Sequence, residues 1–220
     1  MKKSKSESSK RMNLEKLKKE FFSRHDPLLL PVLRRAVVGI AGAGGLGSNV
    51  AVALARVGVG KLIIADHDRV YPSNLNRQQY FIDQIGQLKV EALLENLKRM
   101  NPFSEYEIHH TRITRRNIPQ LFGEAQILVE AFDLATEKSM LINTWLSLFP
   151  ERPIVAASGL SGFGKNNKIR TRKMGRLYLC GDEESEPTKK VSPMAPRVGI
   201  VANLQANLVL ELLFKMGVPN

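Results

Sequence analysis

Five features of this chain are of the kind that handles phosphate. The turn Gly42-Ala43-Gly44-Gly45-Leu46-Gly47-Ser48 follows the apolar run Ala36–Ala41 and opens an amphipathic segment from Asn49 to Val57. Glycines let a backbone approach a phosphate with no Cβ in the way, and the helix that follows offers free N–H groups and the positive end of its dipole. Asp66 lies 24 residues after Gly42, where a carboxylate can accept hydrogen bonds from ribose hydroxyls. The stretch Ser73-Asn74-Leu75-Asn76-Arg77-Gln78 brings polar groups and one guanidinium fork suited to phosphate oxygens. Lys89 falls in the first turn of a predicted helix, an unfavourable place for a cation unless an anion compensates. Asp133, at the end of a predicted strand, is a hard oxygen donor of the type Mg²⁺ prefers. The spacing of Gly42, Gly44 and Gly47 fits a dinucleotide as readily as ATP. A nicotinamide cofactor, however, has no use for Arg77, Lys89 and Asp133 together, and the set favours a triphosphate.

The elements that must position these residues alternate. The apolar runs predict strands at Ala36–Ala41, Lys61–Asp66, Tyr106–Thr111, Gln126–Ala131 and Pro153–Ser158. Between them come helices over Asn49–Val57, Gly86–Met100 (Val90, Leu93, Leu94 and Leu97 on one face), Asn117–Phe122 and Thr136–Phe149. Such alternation predicts an α/β, Rossmann-like, mostly parallel sheet with helices on both faces. Lys168–Lys173 and Leu177–Cys180 read as a late antiparallel hairpin, Gly181–Pro196 as a mobile crossover loop, and Arg197–Met216 as a long closing helix. Ahead of the sheet, residues 1–12 read as a disordered basic tail and 13–35 as a short helix, a loop at Leu28–Pro31 and a linker. Residues 36–220 form the nucleotide-binding domain.

Charge and cysteine content narrow the classes. The formal charge is +12, but eight lysines and arginines against three glutamates in residues 1–20 place +5 there and leave +7 for the remainder. A second cluster, Lys165, Lys168, Arg170, Arg172, Lys173 and Arg176, has little aromatic interleaving, and a nucleic-acid partner is not expected. The single cysteine, Cys180, excludes an internal disulfide framework and a zinc site built from CxxC pairs. The apolar tract from Val198 to Phe214 is interrupted by Asn203, Gln205, Asn207 and Glu211, and the N-terminus has no apolar core of a secretory signal. The expectation is a cytoplasmic protein with no membrane partner and no zinc.

These residues make the chain resemble the ThiF/MoeB/HesA group of ubiquitin-activating-type adenylyltransferases, and among them the short ThiF proteins associated with thiamine biosynthesis. The matching pieces run in family order over roughly Ala36 to Leu213: GAGGLGS (Gly42–Ser48), the strand end and loop Ala65–Gln78 with SNLNRQ, GQLK (Gly86–Lys89), VEAFD (Val129–Asp133) and MAPRVGIVANLQA (Met194–Ala206). The resemblance implies adenylylation, with MgATP, of the C-terminal glycine of a ThiS-like carrier ending in Gly-Gly. Gly42, Gly44, Gly45 and Gly47 would form the phosphate turn, Asp66 would bind the ribose, and Asp68 would belong to the nucleotide site. Ser73, Asn74 and Arg77 would line the triphosphate site, Lys89 would contact phosphate, and Asp133 would position Mg²⁺ and ATP. Arg77, Lys89 and Asp133 are the catalytic candidates. Arg24 resembles the arginine that reaches into the partner subunit's ATP site in homodimeric relatives, which implies a homodimer.

The chain departs from the family at three positions. Leu134 stands where Asn is frequent, Lys138 where Arg is common, and Thr188 where some relatives carry the cysteine that accepts a carrier or sulfur. Sulfur is therefore expected from a separate donor, with Cys180 a packed residue. Two alternatives stay open: a superfamily relative acting on another substrate, such as a tRNA threonylcarbamoyladenosine dehydratase, and a nucleotide-binding pseudoenzyme.

Overall fold

In the computed structural model, which describes residues 13–188 and 190–217, a seven-stranded sheet runs in the order β3-β2-β1-β4-β5-β7-β6. Its strands are β1 (Val37–Ala41), β2 (Lys61–Asp66), β3 (Glu105–His110), β4 (Ile127–Glu130), β5 (Ile154–Ala157), β6 (Arg170–Met174) and β7 (Leu177–Gly181). All neighbours pair in parallel except β6 and β7, whose antiparallel register sets Arg172 opposite Leu179. The Rossmann-like expectation and the late hairpin both hold. The expected basic tail, residues 1–12, lies outside the described residues.

Helices cover both faces because the inner strands are apolar on both sides. Val38 and Ile40 of β1, with Leu62, Ile64, Ile127 and Val129, pack beneath α3 (Gly45–Arg56), α4 (Lys89–Met100) and α7 (Ala195–Gly217). The alternate positions Ile63, Leu128 and Ile154 pack beneath α5 (Ile118–Phe122) and α6 (Ala135–Leu148), where Phe122, Leu141 and Trp145 are buried. α7 has the length and composition of a membrane-spanning helix, but half of that window is buried inside the structure. Gln205, at its centre, donates to the carbonyls of Glu130 (3.1 Å) and Val155 (3.3 Å), as a core helix does. β6, by contrast, is exposed at all five positions, and its Arg170, Arg172 and Lys173 suit an edge strand that must stay unpaired.

Two local expectations change. The segment Leu28–Pro31, read as a loop, caps and opens a short helix, α2 (Leu29–Leu33), which follows the first helix, α1, at residues 13–21. Asp26 Oδ1 accepts the amides of Leu28 (2.8 Å) and Leu29 (3.0 Å), and Pro31 falls in the first turn, where a helix needs no amide proton. The crossover from β7 to α7, read as mobile, is fastened at both ends. Asp182 pairs with Arg197 of α7 at 2.5 Å, and Gly162 bridges to Pro193.

The strand order reverses around β1: β2 and β3 lie to one side of it, and the chain then crosses to β4 on the other. In open parallel sheets this is where a crevice opens beyond the carboxyl ends. The crevice depends on a close contact between the β1 turn and α3. Gly42 has φ +101°, and a Cβ on it would lie 2.8 Å from the Ala131 carbonyl oxygen. A Cβ on Gly47 would lie 1.8 Å from the Gly42 carbonyl oxygen, closer than any atom pair tolerates. Gly47→Ala is expected to destabilise the fold by about 3 kcal/mol or more. Gly44→Ala, whose added methyl meets only Gln78 Nε2, at 3.8 Å, should cost under about 1 kcal/mol. Urea denaturation of both variants checks the contrast, and equal losses would remove the packing role assigned to Gly47.

Candidate active site

A cavity of about 540 Å³ occupies that crevice, within the size range of ligand sites. Gly42, Gly44 and Gly45 line it, Asp66 ends β2 and Asp68 follows it, Asn74, Arg77 and Gln78 come from the β2–α4 connection, and Lys89 opens α4. Thr111–Ile113 follow β3, Ala131–Ala135 with Lys138 follow β4, and Ala157–Leu160 follow β5. Ser185–Pro187 and Pro193 from the crossover also border it.

The four glycines divide into two pairs. Gly42 and Gly47 hold the strand-to-helix contact, and Gly47 does not reach the cavity, so its assignment as a cofactor residue is corrected to a packing role. Gly44 and Gly45 face the cavity at the N-terminus of α3, whose first amides have no partner within the helix. Next to Gly45, the Arg77 stem comes within 3.5 Å of where a Cβ would be.

Asp66 is almost fully buried and ties the turn to β2. Its Oδ2 accepts the Ala43 amide at 2.6 Å and its Oδ1 the Asp68 amide at 2.7 Å. A carboxylate accepts about four hydrogen bonds, so capacity remains for ligand hydroxyls. From the other side, Tyr80 donates to the Ala43 carbonyl at 2.7 Å. Burial, reinforced by the charges of Asp66 and Asp68, pushes the Tyr80 phenol far above its ordinary pKa, so it stays a donor.

Lys89 is the first residue of α4, because residues 86–88 form a turn and an Arg69–Leu88 bridge rather than the expected first helical turn. It is 5% exposed, and its ammonium lies 2.7 Å from Asp68 Oδ2. The anion such a cation requires is thus supplied by the chain itself, and an entering phosphate would share Lys89 with Asp68.

Arg77 donates to Asn76 Oδ1 (2.8 Å) and to the Ser73 carbonyl (3.3 Å). Ser73 is exposed and off the cavity wall. Its backbone carbonyl accepts from Arg77 and so orients that guanidinium. Asn74 does line the cavity, with Oδ1 accepting the Tyr71 amide at 3.0 Å.

Asp133 lies three residues past the end of β4, exposed on the cavity wall, and its carboxylate makes no ion pair or hydrogen bond among the described residues. An unpaired carboxylate beside a glycine turn, two cations and a second carboxylate fits a hydrated Mg²⁺ brought in on a polyphosphate.

Arg24 does not join the site. It is exposed in the turn after the first helix, and its neighbour His25 bonds the Arg56 carbonyl at the far end of α3. A helix of that length separates its ends by about 18 Å. Within its own chain Arg24 is therefore remote from the cavity, which leaves the partner subunit's site that the resemblance implied.

Two contributors, Glu130 and Asp182, escaped the sequence reading. Glu130, the lone charge in the apolar β4, is fully buried and receives the Lys138 ammonium on both oxygens at 2.9 Å. Burial raises its pKa, an effect that Lys138 and the Phe132 amide oppose. Asp182, equally buried, binds Arg197, the Ser185 hydroxyl and the amides of Glu184 and Ser185. Burial alone would raise its pKa, but those donors outweigh it and bring it down to about 2. Gln78, the last residue of the polar stretch read from the sequence, places a buried Oε1 with no partner among the described residues beside the glycine turn. The signal for the two acids was a charged residue at the end of a buried strand or just after one. Their partners, 8 and 15 residues away, could not be read from spacing.

The ThiF family model matches residues 16–220. The chain belongs to the ThiF family. A relative named adenylyltransferase and sulfurtransferase uba4, from Emericella nidulans, is 32% identical over 199 residues, which are 84% of this chain and 41% of the relative. The protein of that name from Aspergillus niger is 35% identical over 188 residues, covering 79% of this chain and 39% of the relative. This ThiF-family chain thus spans about two-fifths of the length of these curated relatives. Among solved structures, the Escherichia coli tRNA N6-threonylcarbamoyladenosine dehydratase TcdA, in complex with AMP, superposes with a TM-score of 0.80 at 20% identity, covering 90% of this chain and 93% of TcdA. Escherichia coli MccB with MccA gives 0.69 at 23% identity, with 87% and 60% covered. At those identities the likeness is one of fold.

The Cys180 thiol is buried, and burial pushes its pKa up to about 11, so it is no thiolate at neutral pH, as expected of a packed cysteine.

The depressed carboxyl of Asp182 fixes the sign of one pH effect. Its ordinary pKa is about 3.9, so its contribution is complete above about pH 4 and is lost as the pH falls towards 2. Asp182→Asn, which strands the Arg197 charge, should cost about 3–5 kcal/mol at pH 7. The gap to the unmodified protein should narrow as pH falls from 4 to 2. Urea titrations across that range check it, and a gap that stays constant would remove the ion pair as its cause.

Proposed function

We propose that this ThiF-family chain binds MgATP in the cavity and adenylylates the C-terminal glycine of a small ubiquitin-fold sulfur carrier of the ThiS type, ending in Gly-Gly. One observation carries the reading: Gly44, Gly45, Asp66, Arg77, Lys89 and Asp133, drawn from three separate stretches of sequence, line a single cavity at the sheet's switch point. The family match and the names of the uba4 relatives support the reaction class.

In the proposed reaction an oxygen of the glycine carboxylate attacks the α-phosphorus of ATP. The bond to the bridging oxygen breaks, and pyrophosphate leaves with the charge. Both reactants are anions, so the site must bring like charges together and stabilise the charge moved onto the leaving group. The α3 amides at Gly44 and Gly45 receive phosphate oxygens, Arg77 clamps them with its fork, and Lys89 turns from Asp68 towards them. Asp66 accepts from the ribose hydroxyls. Asp133 would hold Mg²⁺, which when bound neutralises charge on the phosphates. Lys89→Ala or Arg77→Ala is expected to lower adenylation roughly 100-fold or more. ATP–pyrophosphate exchange reads this directly, and unchanged rates in both variants would sink the assignment.

The sulfur would come from a separate donor and yield a thiocarboxylate for thiamine biosynthesis, in keeping with Thr188 and the inert Cys180. The protein is proposed to be cytoplasmic and a homodimer, with Arg24 acting in the partner's site, since it lies too far from its own. The substrate is tested by pyrophosphate exchange that depends on a ThiS-like protein ending in Gly-Gly. A chain that instead binds tRNA, with affinity falling steeply as salt rises, would belong with the dehydratases.

A further inference from the structure

We propose that Glu130 and Lys138 are positioning residues that hold Asp133 for Mg²⁺. The inference rests on the MgATP reading above and extends it to two groups that need not touch the ligand. Lys138 borders the cavity, which invites the view that its ammonium binds substrate. Its geometry argues otherwise. The ammonium has three protons, and three acceptors surround it: Glu130 Oε1 and Oε2, each at 2.9 Å, and the Ala157 carbonyl at 3.1 Å. No donor is left over for a ligand.

That arrangement acts on the turn that carries Asp133. Glu130 Oε1 also accepts the amide of Phe132, at 2.7 Å, immediately before Asp133. On the far side, the Lys138 amide donates to the carbonyl of Leu134, immediately after Asp133, at 3.0 Å. Both flanks of Asp133 therefore lead back to one buried carboxylate. Glu130 is itself immobilised, since Gln205 holds its carbonyl at 3.1 Å and the Ala131 amide bonds Ala41 at 2.9 Å. The contact to Ala157 links the assembly to β5. Within this frame the Asp133 carboxylate is the free group.

The test measures ATP binding by calorimetry, once with Mg²⁺ and once with excess EDTA. Glu130→Gln with Lys138→Met removes both charges and leaves no buried ion unpaired, which protects folding. This double variant should lose about tenfold in affinity for MgATP and less than about twofold for metal-free ATP. Asp133→Asn should show the same selective loss, and adding it to the double variant should cause no further loss, because the three residues act through one group. Lys138→Arg, which keeps a cation able to grip a carboxylate, should stay within about threefold of the unmodified protein. Losses that multiply on combination, or that are equal with and without Mg²⁺, would overturn the positioning role while leaving the MgATP reading intact. An unmodified chain that binds no ATP would remove that reading and this inference together.

Discussion

The candidate site depends on one contact, the approach of α3 to the turn that ends β1. A Cβ at position 47 would come within 1.8 Å of the Gly42 carbonyl oxygen, so the helix can start where it does only because that residue has no side chain. From this contact follows the direction of the helix N-terminus and the placement of Gly44 and Gly45 at the cavity wall. Asp66 and Tyr80 then clamp Ala43 from opposite sides, its amide and its carbonyl in turn. A turn held so tightly presents its amides to an anion with little left to reorganise, which is what electrostatic stabilisation of a charged transition state requires.

Around that turn, three cations are each matched by a carboxylate: Lys89 by Asp68, Lys138 by Glu130 and Arg197 by Asp182. A buried ion pair is weak evidence for stability, because desolvation offsets much of the attraction, whereas one partner left alone is costly. Their value here lies in geometry. Each joins a strand end to the helix that follows it: the β2 end to α4, the β4 end to α6 and, through Ala157, to β5, and the β7 end to α7. The pairs also differ in availability. Asp68 is half exposed, so Lys89 can exchange it for a phosphate, while Glu130 and Asp182 are sealed and their partners stay bound.

Much of the fold was legible because apolar runs and their spacing are local properties. The five parallel strands β1–β5, the hairpin and the helices appear where the patterns put them, with ends shifted by up to four residues. The α2 helix was missed because Pro31 reads as a breaker, although the first helical turn tolerates it. At the site, Gly44, Gly45, Asp66, Asp68, Asn74, Arg77, Lys89 and Asp133 were all chosen from sequence and all border the cavity. Ser73 is exposed, and its carbonyl accepts from Arg77.

By itself the sequence determined the alternation of strand and helix, the glycine turn and the set of polar residues after the strands, since these follow from side-chain chemistry and short-range spacing. Only the tertiary structure decided which glycines pack and which face the ligand, which anion meets Lys89, and that Lys138 turns inward to Glu130. Those outcomes depend on how the turns beyond the strands are set in space, and that setting exists only once the sheet has brought its carboxyl ends together. The same holds for Arg24: its residue type suits a phosphate, but folding places it at the opposite end of α3 from its own cavity.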